Sequence, residues 1–529
     1  MKPLVLIFVS CLITLSMYSQ SWPKVYGNII EAKGKKVIET YDKGMIIASN
    51  IEVNNYDRFM WLIKTDINGE ILWEKRIGGG YRHYIDDINQ THDGGAIMIF
   101  RWSKYDLEED PVILKMDACY NVEWCKVLHT EGFNRGVKVI QTPDSSYIAL
   151  SMYHSPEPNE RIFLFKLNKE GDVLWSHLYA QLNPGISIEE GFYLSLLPND
   201  SSYLITGACK YIPTGGTNSM WIKVTKDGNE IYDVIWNDTT YDSNDSYGTV
   251  HYPDHYCSIG SRGYNLWDWS PEIFKLSNNG DRLGSYRISN IDTSASGSTI
   301  SIYKDTMFVI GGRWEEDTPP FQGHCEIFLT DTIGNVIRQR TLFDNLQSPR
   351  NTIITYDNKI LALCGFVPPG TSNWDTYLFK LNDKLEDDTL YNIQLNYDSL
   401  CPGNIVSDTF SLYCDVWVKI EEPLTSAEGS QMKIYPNPAK DRITIKIPEY
   451  VVSEQQTDNF EVTKANYLRG TPLKIYLYDV FGRLEKIINV AANHKEVLIN
   501  VSDFMNGLYL AVLRDDNRII GSSKFLVKH

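Results

Sequence analysis

Apolar residues in this chain fall in short alternating runs separated by turns rich in Asp, Gly, Ser and Asn, and one arrangement of such runs recurs seven times. Its clearest copy is Phe59-Met60-Trp61-Leu62-Ile63-Lys64, an apolar strand ending in Lys, followed by a turn with Gly69 and a second strand with Trp73. The anchor position returns at Lys115, Lys166, Lys223, Lys275, Leu329 and Lys380, at intervals of 51, 51, 57, 52, 54 and 51 residues. A second hairpin signature precedes each anchor, clearest in the stretch Ile88 to Ile99 with its turn His92-Asp93-Gly94-Gly95. Related stretches begin near Val37, Val139, Leu194, Val250, Ile300 and Ile353. Gly and Asn tolerate the positive φ of tight turns, so each signature predicts a hairpin.

Two hairpins per repeat supply four strands, and a strand-rich period near fifty predicts a closed array of four-stranded blades. The expected fold class is all-β: a seven-bladed β-propeller over residues 20–388, followed by a small C-terminal Ig-like β-sandwich. In the second copy Ile88–Thr91 is the innermost strand, Ala96–Phe100 the second, Val112–Met116 the third and Val122–Val127 the outermost. The aromatic nine residues after the anchor (Trp73, Trp124, Trp175, then Tyr232) is expected to pack between neighbouring blades. Trp22 to Gly27 resembles Trp73 to Gly78, an outermost strand with no partner before it, and the seventh copy lacks that Trp. The N-terminal strand is therefore expected to complete the last blade and remove an exposed edge; Leu390–Leu395 is the rival for that slot. The Trp pattern, with Gly311-Gly312, resembles the quinoprotein-like and kelch-like propellers, while the sialidase Asp-box is missing.

The first residues change the compartment. Lys2, the apolar run Leu4 to Leu15 and the small residues before Gln20 read as a secretory signal over 1–19, too short to span a bilayer. Eight cysteines remain after it, suited to an oxidising compartment. Cys119 with Cys125 and Cys401 with Cys414 are the local pairs expected to bond, whereas Cys209, Cys257 and Cys364 sit in apolar strands and read as buried thiols. With 50 basic against 67 acidic residues the net charge is −17, which excludes a nucleic-acid binder built on a basic surface. No spacing fits zinc, and no metal or cofactor is expected. The acidic loop Asp238–Asp245 could hold Ca²⁺ but lacks the EF-hand spacing.

Residues 389–432 read as a linker, polar over Glu421 to Ser430, with Cys401-Cys414 its expected disulfide. Strands then resume to the end. Tyr435-Pro436-Asn437-Pro438, Asp479 with Gly482-Arg483, and Gly507 with Tyr509 punctuate residues 433–529. This combination resembles the type A sorting domain of type IX secretion system cargo. The resemblance implies recognition by the outer-membrane translocon, removal by its sorting peptidase, and release or attachment at the cell surface. Phe504 stands where the family usually has Leu, and Tyr450–Thr471 is longer than its usual connection. A plain Ig-like adhesive appendage is the alternative.

The connections from second to third strand carry long, varied, aromatic sequence, while the opposite turns are uniform. Candidate ligand contacts on that face are Arg101, Trp102, Tyr153, Tyr211, Arg262, Trp267, Trp269, Arg313, Trp314 and Trp374, suited to sugar rings or peptide side chains. No nucleophile elbow, HExxH or phosphate loop occurs, so no catalytic residue is assigned. The expectation is an exported binding or adhesion module for an extracellular glycan or protein. The alternatives are a propeller hydrolase or lyase acting on polysaccharide or peptide, and a structural component of the surface layer.

Overall fold

The computed structural model describes residues 21–27, 31–53, 58–79, 82–103, 109–129, 133–154, 160–179, 186–197, 202–211, 217–236, 243–263, 269–288, 294–315, 323–344, 349–418, 432–447, 473–479, 484–490, 496–514 and 519–529. The expected signal residues 1–19 lie outside them. All regular structure among the described residues is β, in two compact units that divide between Trp417 and Val418.

Unit one consists of four-stranded antiparallel sheets, as in a propeller, whose order follows the chain. The first sheet is Glu31–Glu39, Met45–Glu52, Arg58–Thr65 and Ile71–Gly78, and the second is Arg82–Gln90, Ala96–Ser103, Glu109–Met116 and Val122–His129. Five more start at Phe133, Ile186, Ser243, Ser294 and Asn351. The fourth and fifth are joined by a single parallel bridge, Thr217 to Ser243. The last sheet takes its fourth strand from the N-terminus: Lys24–Tyr26 runs antiparallel to Asp375–Leu381, with Val25 opposite Tyr377. The rival segment around Leu390 forms no strand.

The anchor lysines are structural. Lys64 ends an apolar strand yet is 1 % exposed, because its ammonium reaches Asp42 Oδ1 at 2.8 Å and the Thr40 hydroxyl at 2.6 Å in the turn of the preceding hairpin. Lys115 meets Asp93 at 2.8 Å, Lys166 meets Asp144 at 3.5 Å and Lys380 meets Asp357 at 3.1 Å. In each turn a Thr two residues earlier donates to the same Asp. A buried ammonium needs such a partner.

Neighbouring sheets touch through repeated contacts. The outer-strand aromatic packs on the next sheet's last turn: Trp73 lies 4.6 Å from Tyr120, and a Cβ on Gly171 would come within 2.7 Å of the Trp124 ring. Gly171 also has φ +85°, so a larger residue there is both strained and crowded. Trp22, beside the N-terminal strand of the last sheet, makes the same contact with Gly69 of the first. A second contact is a clasp: Gln90 Oε1 accepts from Tyr41 N–H at 2.8 Å, Gln141 Oε1 from His92 N–H at 2.7 Å, and Glu39 Oε2 from Tyr356 N–H at 2.8 Å. The first two span 49 residues and the third spans 317, so the last sheet meets the first as other neighbours meet.

Glu39 is the one ionisable member of that clasp, and burial, with Asp357 nearby, pushes its carboxyl up to about 7. A raised folded-state pKa means this carboxyl favours folding at low pH, and the contribution is lost as pH rises from about 4.3. Glu39→Gln, copying Gln90, should raise the melting temperature at pH 8 and leave it nearly unchanged at pH 5. Equal shifts at both pH values in a thermal melt would show that the Glu39 charge is not what matters.

Residues 389–417, expected as part of a linker, instead pack on unit one. Asp408–Phe410 adds a parallel strand beside Ile71–Gly78, and Asp415–Val418 extends the second sheet. Ile405, Phe410 and Leu412 lie against the core shared by the first two sheets, and Trp417 sits edge-on to Phe165. The disulfides follow this path and not the local pairing: Cys119 bonds Cys401 and Cys125 bonds Cys414. The physical reason is direction. Cys125 lies on a strand leading away from the turn that holds Cys119, and the two face different stretches of the returning strap, at Cys414 and Cys401. Cys209, Cys257, Cys325 and Cys364 are buried thiols.

Unit two contains the sheets Lys433–Tyr435, Arg442–Lys446, Glu496–Asn500 and Leu484–Val490, Leu473–Asp479, Gly507–Arg514, Ile519–Val527. Both face one core that includes Ile443, Ile445, Leu477, Leu513 and Phe525.

Candidate functional site

The first strand of each sheet lies against the first strand of the next, and that of the seventh lies against the first. Six of these strands carry a β-bulge at the same place, ending at Lys36, Asp87, Lys138, Tyr193, Gly248 and Thr299. Asn351 holds the corresponding place in the seventh, since Asn351 Oδ1 accepts from Val37 N–H at 3.1 Å as Asp87 Oδ2 does from Val139 N–H at 3.3 Å. A bulge re-aims the side chain that follows it. Close approach of the preceding sheet requires Gly just before several bulges: a Cβ on Gly136 would come within 2.5 Å of Ile99.

The bulge positions are polar and dissimilar. Lys36 pairs with Asp87 at 3.1 Å. Burial opposes the Lys36 charge, but the Asp87 carboxylate outweighs it and holds the ammonium above its ordinary value. Lys138, 8 % exposed, places Nζ 3.3 Å from the centre of the Tyr193 ring. Burial and the Lys36 charge lower the Lys138 pKa, and the two ammoniums, Lys138 first, draw the Tyr193 phenol below its usual value. His251, three residues past Gly248, has both ring nitrogens buried with no hydrogen-bond partner among the described residues; burial and Lys138 push it down to about 4.

One residue before the ring, burial raises Asp86 to about 6 against the pull of Arg101, which donates to it at 3.1 Å, and of Lys35. Burial lowers Lys35, with Arg101 and Arg350 adding to the effect. Three residues before the ring stand Lys33, whose ammonium lies 5.5 Å from the Trp374 ring, and Tyr84, flanked by Arg58 at 5.1 Å and Arg101 at 5.2 Å.

The structure brings only some of the sequence-derived candidates toward this group. Arg101 and Trp374 lie beside it, as just described. Trp102 is half-buried against the core of the first two sheets, and Tyr153 lies against Phe163. Arg262 is buried and donates to the buried Glu272 at 2.9 Å. Trp314 stacks on His324 and donates to Glu326 at 2.8 Å, whereas Arg313 is exposed. Trp267 lies outside the described residues, and Tyr211 and Trp269 are described by backbone alone. Among the described residues no group of three His, Cys, Asp or Glu is placed to hold a metal ion; Asp238–Asp242 lie outside them. Sequence reading passed over Lys36, Asp87 and Lys138, although their spacing of 51 residues was a signal.

In unit two the candidate residues shape turns and edges. Asn437 hydrogen-bonds Lys524 O at 3.2 Å and Leu526 N–H at 2.8 Å, so its side chain ties the opening segment to the last strand. Pro436 and Pro438 flank it without an N–H to donate. The exposed Tyr435 donates to Glu496 at 2.7 Å. Asp479 faces Tyr509 across two strands, and Tyr509 follows Gly507 into the core between Phe504 and Phe525, its hydroxyl on Met505 O at 2.9 Å. Gly482 and Arg483 lie outside the described residues.

Residues 433–528 match the family described as the secretion system C-terminal sorting domain. The chain is type IX secretion cargo. It is exported, or attached to the cell surface, and its C-terminal sorting domain engages that machinery. No helix among the described residues is long and apolar enough to cross a membrane. No curated protein matches the chain in sequence. Among solved structures, an ulvan lyase of a new polysaccharide lyase family, bound to -[GlcA(1-4)Rha3S]-, is similar at 9% identity and TM-score 0.42, covering 68% of this chain and 96% of that one. A protein of unknown function from Dyadobacter fermentans DSM 18053 is similar at 10% identity and TM-score 0.39 over 56% and 94% of the two chains. Drosophila Semaphorin 1b, extracellular domains 1–2, follows at 6% identity and TM-score 0.40 over 67% and 86%.

Proposed function

We propose that unit one closes as a seven-bladed propeller and acts outside the cell as a binding module for a glycan or protein, carried there by an Ig-like sorting sandwich. Closure is supported by the contacts of Trp22 and Glu39, which join the last sheet to the first as neighbouring sheets are joined elsewhere. Binding rests on one observation: the same backbone bulge carries Lys36, Asp87, Lys138, Tyr193, Gly248 and Thr299, and Asn351 holds the matching place on the unbulged seventh strand. A position that served packing alone would repeat its residue, as the anchor lysines do. Here the scaffold is constant and the chemistry is not.

A lyase is the second reading, favoured by the Tyr193 phenol whose proton the Lys138 ammonium loosens. A glycan and protein array probed with the mature chain separates the two. Binding without product release is expected, weakened several-fold by Arg313→Ala; released product identifies an enzyme instead, and retention of nothing overturns the binding reading.

A further inference from the structure

Resting on that reading, we propose that the axial bulges hold a recognition site for one anionic group, a carboxylate or sulfate ester, on an extracellular polysaccharide. The chain carries a net charge of −17, so a cluster of cations is a local exception. Around the bulges stand Lys35, Lys36, Arg101, Arg135, Lys138 and Arg350, against the acids Asp86, Asp87, Glu109 and Glu190, so six positive and four negative charges leave an excess of two.

Lys36 is matched by Asp87, and Arg101 by Asp86 and Glu109. Among the described residues Lys35, Lys138 and Arg350 have no carboxylate in ion-pair contact. Lys138 rests on an aromatic face instead, part-desolvated, and a partly desolvated ammonium gains most from an incoming anion. Among the described residues no group hydrogen-bonds either buried ring nitrogen of His251, and Gly248 places no side chain at the bulge of the same strand. The flat faces of Tyr84 and Trp374 belong to the level three residues before the ring. Aromatic faces beside a cation pair suit a pyranose bearing a charged substituent.

The test is calorimetric titration of the mature full chain with polygalacturonate, dextran sulfate and unmodified dextran. At least one charged polymer should bind while dextran does not, and binding should weaken as salt rises. Carboxylate and sulfate sources are told apart by which polymer wins. Lys138→Gln should weaken binding about tenfold, Lys138→Arg should retain most of it, and Lys35→Gln, at a less buried site, should weaken it too. Melting curves of each variant separate lost affinity from lost fold. Dextran binding as well as the charged polymers, or Lys138→Gln and Lys35→Gln both binding like the parent, overturns the axial site. If such binding is still lost in Arg313→Ala, the binding module stands and only the axial site falls.

Discussion

Truncated after Met432, the chain will accumulate in the periplasm as a folded, disulfide-bonded protein. Among the described residues the cluster under the sorting domain draws on residues from Met432 onward, and the strap on unit one ends with the strand Asp415–Val418. Removing residues 433–529 should therefore abolish export without unfolding what precedes them. Fractionation followed by non-reducing electrophoresis checks this, and truncated protein in the medium or on the surface would falsify the address reading. A point change should approach the same outcome. Tyr509→Ala removes a side chain that is 5 % exposed, packed between Phe504 and Phe525. Such aromatic truncations cost about 3–5 kcal/mol, a large part of what a small sandwich has. Export should fall steeply, and unchanged export would show that recognition tolerates a loosened core.

Asp42→Ala should be the most damaging single substitution in unit one. Asp42 accepts from Lys64 Nζ, the Thr40 hydroxyl, Gly44 N–H and Asp398 N–H, the last reaching it from the strap. Without it the buried ammonium keeps the Thr40 hydroxyl at 2.6 Å and, among the carboxylates of the described residues, Asp398 at 3.7 Å. Leaving one member of a buried ion pair costs about 3–5 kcal/mol. Asp42→Ala combined with Lys64→Met should recover most of that loss, because no charge is then stranded. Urea unfolding of both variants reads this directly; a double variant no more stable than Asp42→Ala alone would mean the turn, not the charge pair, holds the site. Burial raises the Asp42 carboxyl, but Lys64 and the hydrogen bonds outweigh it and hold the pKa low. Its contribution is therefore complete above the ordinary aspartate value of about 4 and is lost as pH falls below it.

The anchor lysines show how far a linear pattern can be read. Their recurrence revealed the period, yet a Lys closing an apolar strand made no sense until Asp42, 22 residues upstream, was seen beneath Lys64. The outer aromatics went further, since period and residue type together foretold that Trp73 and Trp124 would sit between sheets. The cysteines went less far. Pairing Cys119 with Cys401 depends on where a strap 282 residues later runs, and local spacing is blind to that. Candidate ligand contacts fared unevenly for the same reason: Arg262 reads as an exposed cation beside aromatics, but its strand carries it onto Glu272.

Taken alone, the amino-acid order determined the fifty-residue spacing, the β character and the export address, because hairpin chemistry and strand alternation are local properties of a few neighbouring residues, whereas the choice between the N-terminal strand and Leu390–Leu395 came only with the fold. Tertiary structure decided the disulfide partners, the strap and the meeting of charged residues at the bulges. Each of these joins residues dozens to hundreds of positions apart, and only the folded path of the backbone sets which of them meet.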